Sequence, residues 1–118
     1  MAEKKFFATE TMDGVLVIRF LPRIYLTGLV AEQVGDQLFQ LVDEQGHRRL
    51  VLNFANVDSL TSLIIGKLVN LQKKVQAVGG RLALCEVTPV VLEILDLLRL
   101  TTMITTFPTE QEAVESMK

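Results

Sequence analysis

The sequence predicts an α/β fold: a mixed, mainly parallel sheet opened by a hairpin, with helices packed predominantly against one face, in the order ββαβαβαβα. Three observations carry this. Asp13-Gly14 separates two short segments of β character and is a strong signal for a two-residue hairpin turn. Leu50 to Phe54 and Arg81 to Cys85 are nearly continuous apolar runs, as expected of strands covered on both faces. Between those runs Ile64, Leu68, Leu71, Val75 and Val78 recur at four- and three-residue intervals, so an amphipathic helix joins two parallel strands.

Taken in order, Phe6 to Met12 and Val15 to Phe20 form the opening hairpin. Leu21 to Thr27 contains Pro22 and has no helical period. In the first helix Val30, Val34, Leu38, Leu41 and Val42 share a face, while Glu32, Gln33, Asp36, Gln37 and Gln40 fall elsewhere. Glu44 to Arg49 is a polar connection, and Leu50 to Phe54 is a central strand. In the second helix Val78 joins the core face, and Lys67, Asn70, Lys73, Lys74 and Gln76 lie mostly away from it. Gly79-Gly80 closes that helix and turns the chain into the next strand. Thr88-Pro89 supplies an N-cap with proline at the first helical position, leading into an unusually apolar third helix, Val90 to Leu98. Met103 to Phe107 reads as the last strand. Thr109-Glu110-Gln111-Glu112 has the capping-box pattern of a helix finishing near Met117.

Composition excludes several classes. The 118 residues, about half of them apolar, match one domain spanning 1–118. Twelve basic against fourteen acidic side chains give a net charge of −2, leaving no basic footprint for nucleic acid or an anionic membrane. Lys4 and Lys5 precede only a short apolar stretch, and no run approaches the roughly 18 residues of a membrane helix. The expectation is a cytoplasmic protein whose partners are proteins. Cys85 is the only cysteine, excluding an internal disulfide and leaving it as a space-filling residue at a strand end. His47 has no neighbouring ligand in sequence and reads as an exposed loop residue. No nucleophile, base and orienting group form a recognisable set, and neither a Walker-type nor a dinucleotide glycine loop is present. No catalytic residue, metal site or cofactor is expected.

The turn between the central strand and the second helix is the most informative segment. Ser59, Thr61 and Ser62 bring hydroxyls to the positive end of a helix dipole, where an anion is favoured. Two readings of these residues stand together. They are N-cap and first-turn residues satisfying orphan N–H groups, or they present a phosphate-accepting hydroxyl to a partner. The apolar third helix likewise has a core reading, the more common one for most of its positions, and an association reading. The basic stripe of Lys67, Lys73 and Lys74 reads either as a solvated face or as a contact for an acidic partner.

Together the strand, the hydroxyl turn, the Gly-Gly-Arg-Leu strand entry, the leucine-rich third helix and the capped last helix resemble the STAS domain of bacterial anti-sigma factor antagonists across essentially the whole chain. Aligning Gly66 and Leu52-Asn53-Phe54 places Thr61-Ser62-Leu63-Ile64-Ile65-Gly66 over that family's common Asp-Ser-Ser-Gly-Leu-Gly. Thr61 stands at the usual aspartate, Leu63 at the second serine and Ile64 at the glycine, and Leu26 lies near an aspartate often found in the first long loop. The resemblance implies that Ser62 is phosphorylated, with Thr61 a secondary acceptor, and that Ser59, Leu60, Thr61, Ser62, Leu63 and Lys67 meet the partner. It implies an anti-sigma factor or switch serine kinase as partner, and a serine phosphatase acting on the phospho form, in transcriptional or stress signalling. The alternatives are a non-switching STAS scaffold in a signalling assembly and a small nucleotide-binding α/β enzyme.

Overall fold

The computed structural model describes residues 5–22, 24 and 26–118; Lys4 of the N-terminal lysine pair, and Arg23 and Tyr25 of the first long loop, lie outside them. The hairpin forms as the turn chemistry demands. β1 (Phe7–Met12) and β2 (Val15–Phe20) pair antiparallel from Met12↔Val15 to Phe7↔Phe20. Asp13 and Gly14 both take positive φ, at 54° and 81°, the geometry that matches the twist of the flanking strands. The chain then alternates helix and strand through α1 (Gly28–Asp43), β3 (Arg49–Asn53), α2 (Ser62–Ala77), β4 (Arg81–Cys85), α3 (Pro89–Leu97), β5 (Thr105–Phe107) and α4 (Glu110–Glu115). The sheet order is β1-β2-β3-β4-β5, parallel throughout except for the hairpin.

Strand alternation divides the core in two. Leu16, Ile18, Phe20, Leu50, Leu52, Leu82 and Leu84 face α1, α2 and α3, which bury Val34, Leu38, Ile64, Leu68, Leu71, Val75, Val91 and Leu95 against them. Val15, Val17, Val51, Ala83 and Cys85 point to the other face, covered by Ala113 and Val114 of α4 and by Met117. Three helices therefore occupy one face and one short helix the other. The same alternation places Arg19 and Asn53 on the α4 side at the carboxyl ends of their strands.

α1 and α2 run side by side, zipped by charge. Lys67 pairs with Glu32 at 3.2 Å and Asp36 at 3.3 Å, and Lys74 pairs with Asp43 at 2.7 Å. Both ammonium groups also sit about 5 Å from the Phe39 ring centroid. Gly35 makes room for this seam, because a Cβ there would meet the Lys67 side chain at 2.5 Å.

Several expectations are corrected. Val78 is the C-cap of α2 and is exposed, so the core stripe ends at Val75. Lys67 and Lys74 are not a free basic stripe; they bridge to α1 and are half-buried, and only Lys73 of the three is exposed. Of the apolar positions of the third helix Val91 and Leu95 are buried and Leu92 and Ile94 half-buried, while Val90, Leu97 and Leu98 are exposed, so the core reading fails for those three. Thr88 occupies the N-cap of α3, but its hydroxyl makes no cap bond. A 3-10 turn at Leu100–Thr102 absorbs chain expected nearer the last strand, shortening β5 to Thr105–Phe107. α4 stops at Glu115, and Thr109 makes its half of the capping box by accepting from Glu112 N–H at 3.1 Å. His47 is half-buried rather than exposed.

Candidate functional site

The carboxyl ends of β2, β3 and β4 and the amino ends of α1 and α2 meet at one edge of the molecule. Thr61 is the N-cap of α2, in extended backbone at φ −105° and ψ 163°, and Ser62 is the first helical residue. The Thr61 hydroxyl donates to the Leu26 carbonyl at 3.0 Å and accepts from Ile64 N–H at a long 3.5 Å. The first bond ties the start of α2 to the loop before α1; the second is a weak cap. Thr61 is half-buried in these roles and Leu26 is buried, whereas Ser62 and Ser59 are exposed.

The Ser62 hydroxyl makes no hydrogen bond among the described residues and stands beside the first N–H groups of a sixteen-residue helix. Leu63 next to it is 39% exposed and Leu60 is half-buried. The helix pairing brings Leu29 of α1, 71% exposed, to the same end of the seam. Lys67 lies one turn further along α2, with its ammonium occupied by Glu32 and Asp36. Burial pulls its pKa down, and the two carboxylates more than offset this, holding it above the ordinary lysine value.

Asn53 starts the loop that carries this site. Its carbonyl oxygen accepts from Ala55 N–H at 2.9 Å, an Asx turn, while its amide donates to Glu86 at 3.0 Å and Glu110 at 2.8 Å. Arg19 closes the cluster with two bonds to Glu110, at 3.0 and 2.6 Å, and one to Glu10 at 2.7 Å. The Arg19 guanidinium, followed by burial in the opposite sense and the Asn53 amide, leaves the Glu110 carboxyl below the ordinary glutamate range. Further along the loop Asn56 donates to the Phe20 carbonyl at 2.9 Å.

Cys85 lies beneath this network, fully buried, its thiol pushed up to about 12 by burial and by the carboxylates of Glu86 and Glu110. The potential ligand atoms of Cys85, Glu86 and Glu110 lie within 4.8 Å of one another. The carboxylates already receive Arg19 and Asn53, and the thiol is held protonated, which disfavours a cation there.

Sequence reasoning therefore found Ser59, Leu60, Thr61, Ser62 and Leu63 together on one loop and helix start. It missed Arg19, Asn53, Glu86 and Glu110, and it missed Leu29. A signal for two of these was present: Arg19 is the lone charge in Val-Leu-Val-Ile-Arg-Phe, and Asn53 the lone polar residue in Leu-Val-Leu-Asn-Phe. A polar group in a strand buried on both faces needs a partner.

The family model of the STAS domain matches residues 7–113. The chain belongs to the STAS domain family. This STAS protein is 32% identical over 92 residues to BtrV of Bordetella bronchiseptica, a proposed anti-sigma factor antagonist, across 75% of this chain and 73% of that one. A proposed anti-sigma factor antagonist from Thermotoga maritima superposes with a TM-score of 0.84 at 25% identity, covering 94% of this chain and 93% of that one. The Bacillus cell fate determinant SpoIIAA in its phosphorylated form shares the fold, with a TM-score of 0.68 at 20% identity over 95% of this chain and 99% of that one. The molecule is thus an anti-sigma factor antagonist-like STAS protein, and among its described residues no helix is long and apolar enough to cross a membrane.

Proposed function

We propose that this STAS protein is a protein-binding regulator whose partner choice is set by phosphorylation of Ser62. The observation that carries the reading is the exposed, unbonded Ser62 hydroxyl at the mouth of α2, flanked by Leu60 and Leu63. In the unmodified state Ser59, Leu60, Ser62 and Leu63, with Thr61 and Lys67 behind them, form the contact for an anti-sigma factor or a switch serine kinase. The kinase transfers the γ-phosphoryl group of ATP to Ser62 Oγ, with loss of the hydroxyl proton and release of ADP. A serine phosphatase hydrolyses the ester back to the hydroxyl and inorganic phosphate. The chain is the substrate of both enzymes and carries out no chemistry itself, and its place of work is the cytoplasm.

Magnitudes favour an effect on the partner over an effect on the fold. A phosphoryl group adds about −1.5 to −2 charge, and a helix N-terminus favours each negative charge by about 0.3–1 kcal/mol. The folded protein therefore accepts the modification. A partner that seals Leu60 and Leu63 against its own apolar surface must desolvate the same phosphate, and each 1.4 kcal/mol of that cost is about a tenfold loss of affinity. SpoIIAA, with the same fold, is known in phosphorylated and unphosphorylated forms, which supports a fold tolerant of the group. Thr61 is the weaker candidate as acceptor, since its hydroxyl proton is committed to the Leu26 carbonyl. The test is incubation with ATP and serine kinases encoded near the gene, followed by peptide mass spectrometry. Stoichiometric phosphate on Ser62, absent in Ser62→Ala, is expected; phosphate on another residue or none at all contradicts the proposal.

A further inference from the structure

The loop from Phe54 to Leu60 is fastened at both ends and in the middle by polar side chains: Asn53 at its start, Asn56 to the end of β2, and Thr61 to Leu26. The fastening at its start is unlike the others. Asn53 is buried, and one amide nitrogen serves two carboxylates from other elements, Glu86 after β4 and Glu110 at the first turn of α4. Glu110 in turn holds Arg19, so α4 is tied to β2 and β3 through charged hydrogen bonds of 2.6 to 3.0 Å.

We propose that Asn53 is a positioning residue for the Ser62 loop and that its bond to Glu110 makes α4, on the opposite face of the sheet, a control on how rigidly that loop is held. The physical basis is the geometry of a single amide group. Its oxygen fixes Ala55 N–H and hence the direction in which the chain leaves β3; its nitrogen is aimed by Glu110 and Glu86. An amide is planar, so releasing the nitrogen frees the oxygen to rotate. Displacement of α4, by a partner or by loss of the Glu110 charge, removes the shorter of the two bonds that aim Asn53, leaves Glu86 alone on the nitrogen, and loosens the turn at residues 53–55 that leads towards Ser62. α4 suits this role because it is only six residues long: Ala113, Val114 and Met117 seat it on the sheet, Arg81 holds the Ser116 carbonyl at its far end at 3.1 Å, and Glu110 is its tie to Asn53. The inference gains its purpose from the reading of Ser62 as an acceptor, but the coupling is measured on unmodified protein, so the two stand or fall separately.

The experiment is amide hydrogen exchange on the full chain carrying Glu110→Ala, Asn53→Ala and both together, with Glu110→Gln as a milder variant that retains the side-chain shape. Ala55 and Val57, whose N–H groups bond to Asn53 Oδ1 and to the Phe54 carbonyl, are the reporters. Glu110→Ala should raise exchange at both reporters by about tenfold, the scale of a lost charge-assisted hydrogen bond, and Glu110→Gln, whose amide oxygen still accepts from Asn53, should raise it by less. Leu50 to Leu52 should remain as protected as in the parent. The double variant should loosen the loop no more than Asn53→Ala alone, because both changes break one path. Unchanged exchange at Ala55 and Val57 in both Glu110 variants, or strictly additive effects in the double variant, overturns the proposal. Loosening of the central strand together with the loop also overturns it, since that is general destabilisation.

Discussion

Two adjacent glycines end α2, and the structure assigns them different jobs with different costs. Gly79 has φ +72° and open space where a Cβ would stand, so Gly79→Ala meets only backbone strain, about 1–2 kcal/mol for an L-residue in the left-handed region. Gly80 has no positive φ, but its Cβ would lie 2.1 Å from the Arg48 carbonyl oxygen and 2.9 Å from the carbonyl carbon. That carbonyl cannot simply swing away, because it accepts from Arg81 N–H at 2.8 Å where β3 and β4 begin to pair. Relieving the overlap needs a backbone movement of more than about 1 Å, with overpacking of about 1–3 kcal/mol. Weakening the Arg81 bond adds about 0.5–1.5 kcal/mol. Gly80→Ala should therefore destabilise by about 1.5–4.5 kcal/mol. At about 2.1 cal/mol/K of unfolding entropy per residue, this lowers Tm by about 6–18 °C, against about 4–8 °C for Gly79→Ala. Urea unfolding and differential scanning calorimetry on the two single variants decide it. A Gly80→Ala protein as stable as Gly79→Ala, or as the parent, would refute the argument from close approach.

Three further outcomes follow from the same structure. Thr61→Ala removes the cap on Ile64 and the bond to Leu26, and urea unfolding should show a loss of about 1–2 kcal/mol, largely recovered by Thr61→Ser. Glu110 has a folded pKa below its unfolded value of about 4.3, so its contribution is fully present above that pH and is lost as pH falls towards the depressed folded value; Glu110→Gln should flatten the acid limb of a stability-versus-pH curve below about pH 5 and leave its slope near pH 8 unchanged. The Cys85 thiol, buried and pushed up to about 12, should react with an aromatic disulfide reagent at pH 8 only as fast as the protein opens, and at the rate of an ordinary thiol once urea is added.

The fold was legible where short-range rules and tertiary packing agree. Asp13-Gly14, the β character of the segments on either side of it, and the four-and-three spacing of Ile64 to Val75 each specify an element that no longer-range contact opposes. The placement of Ser62 at the start of α2 was legible for the same reason, since an N-cap hydroxyl and a periodic run mark a helix start. What was hidden depends on contacts between distant residues. Lys67 and Lys74 read as a surface stripe because their partners, Glu32, Asp36 and Asp43, are more than thirty positions away. Glu110 read only as part of a capping box, yet it meets Arg19 across ninety-one positions, as a sheet and a terminal helix allow. That Val90, Leu97 and Leu98 are the exposed members of the third helix was hidden because hydrophobicity alone does not say how wide its buried stripe is.

On the proposed function, phosphorylation of the one exposed hydroxyl of Ser62 decides whether a partner stays bound. Isothermal titration of the proposed partner, an anti-sigma factor or switch serine kinase, against unmodified protein, Ser62→Ala and Ser62→Asp tests it most directly. Comparable Kd values for the first two and a loss of about tenfold or more for Ser62→Asp, each tenfold being ~1.4 kcal/mol, are predicted. Equal affinity for all three, with all three folded, would contradict the claim and leave a STAS scaffold that does not switch.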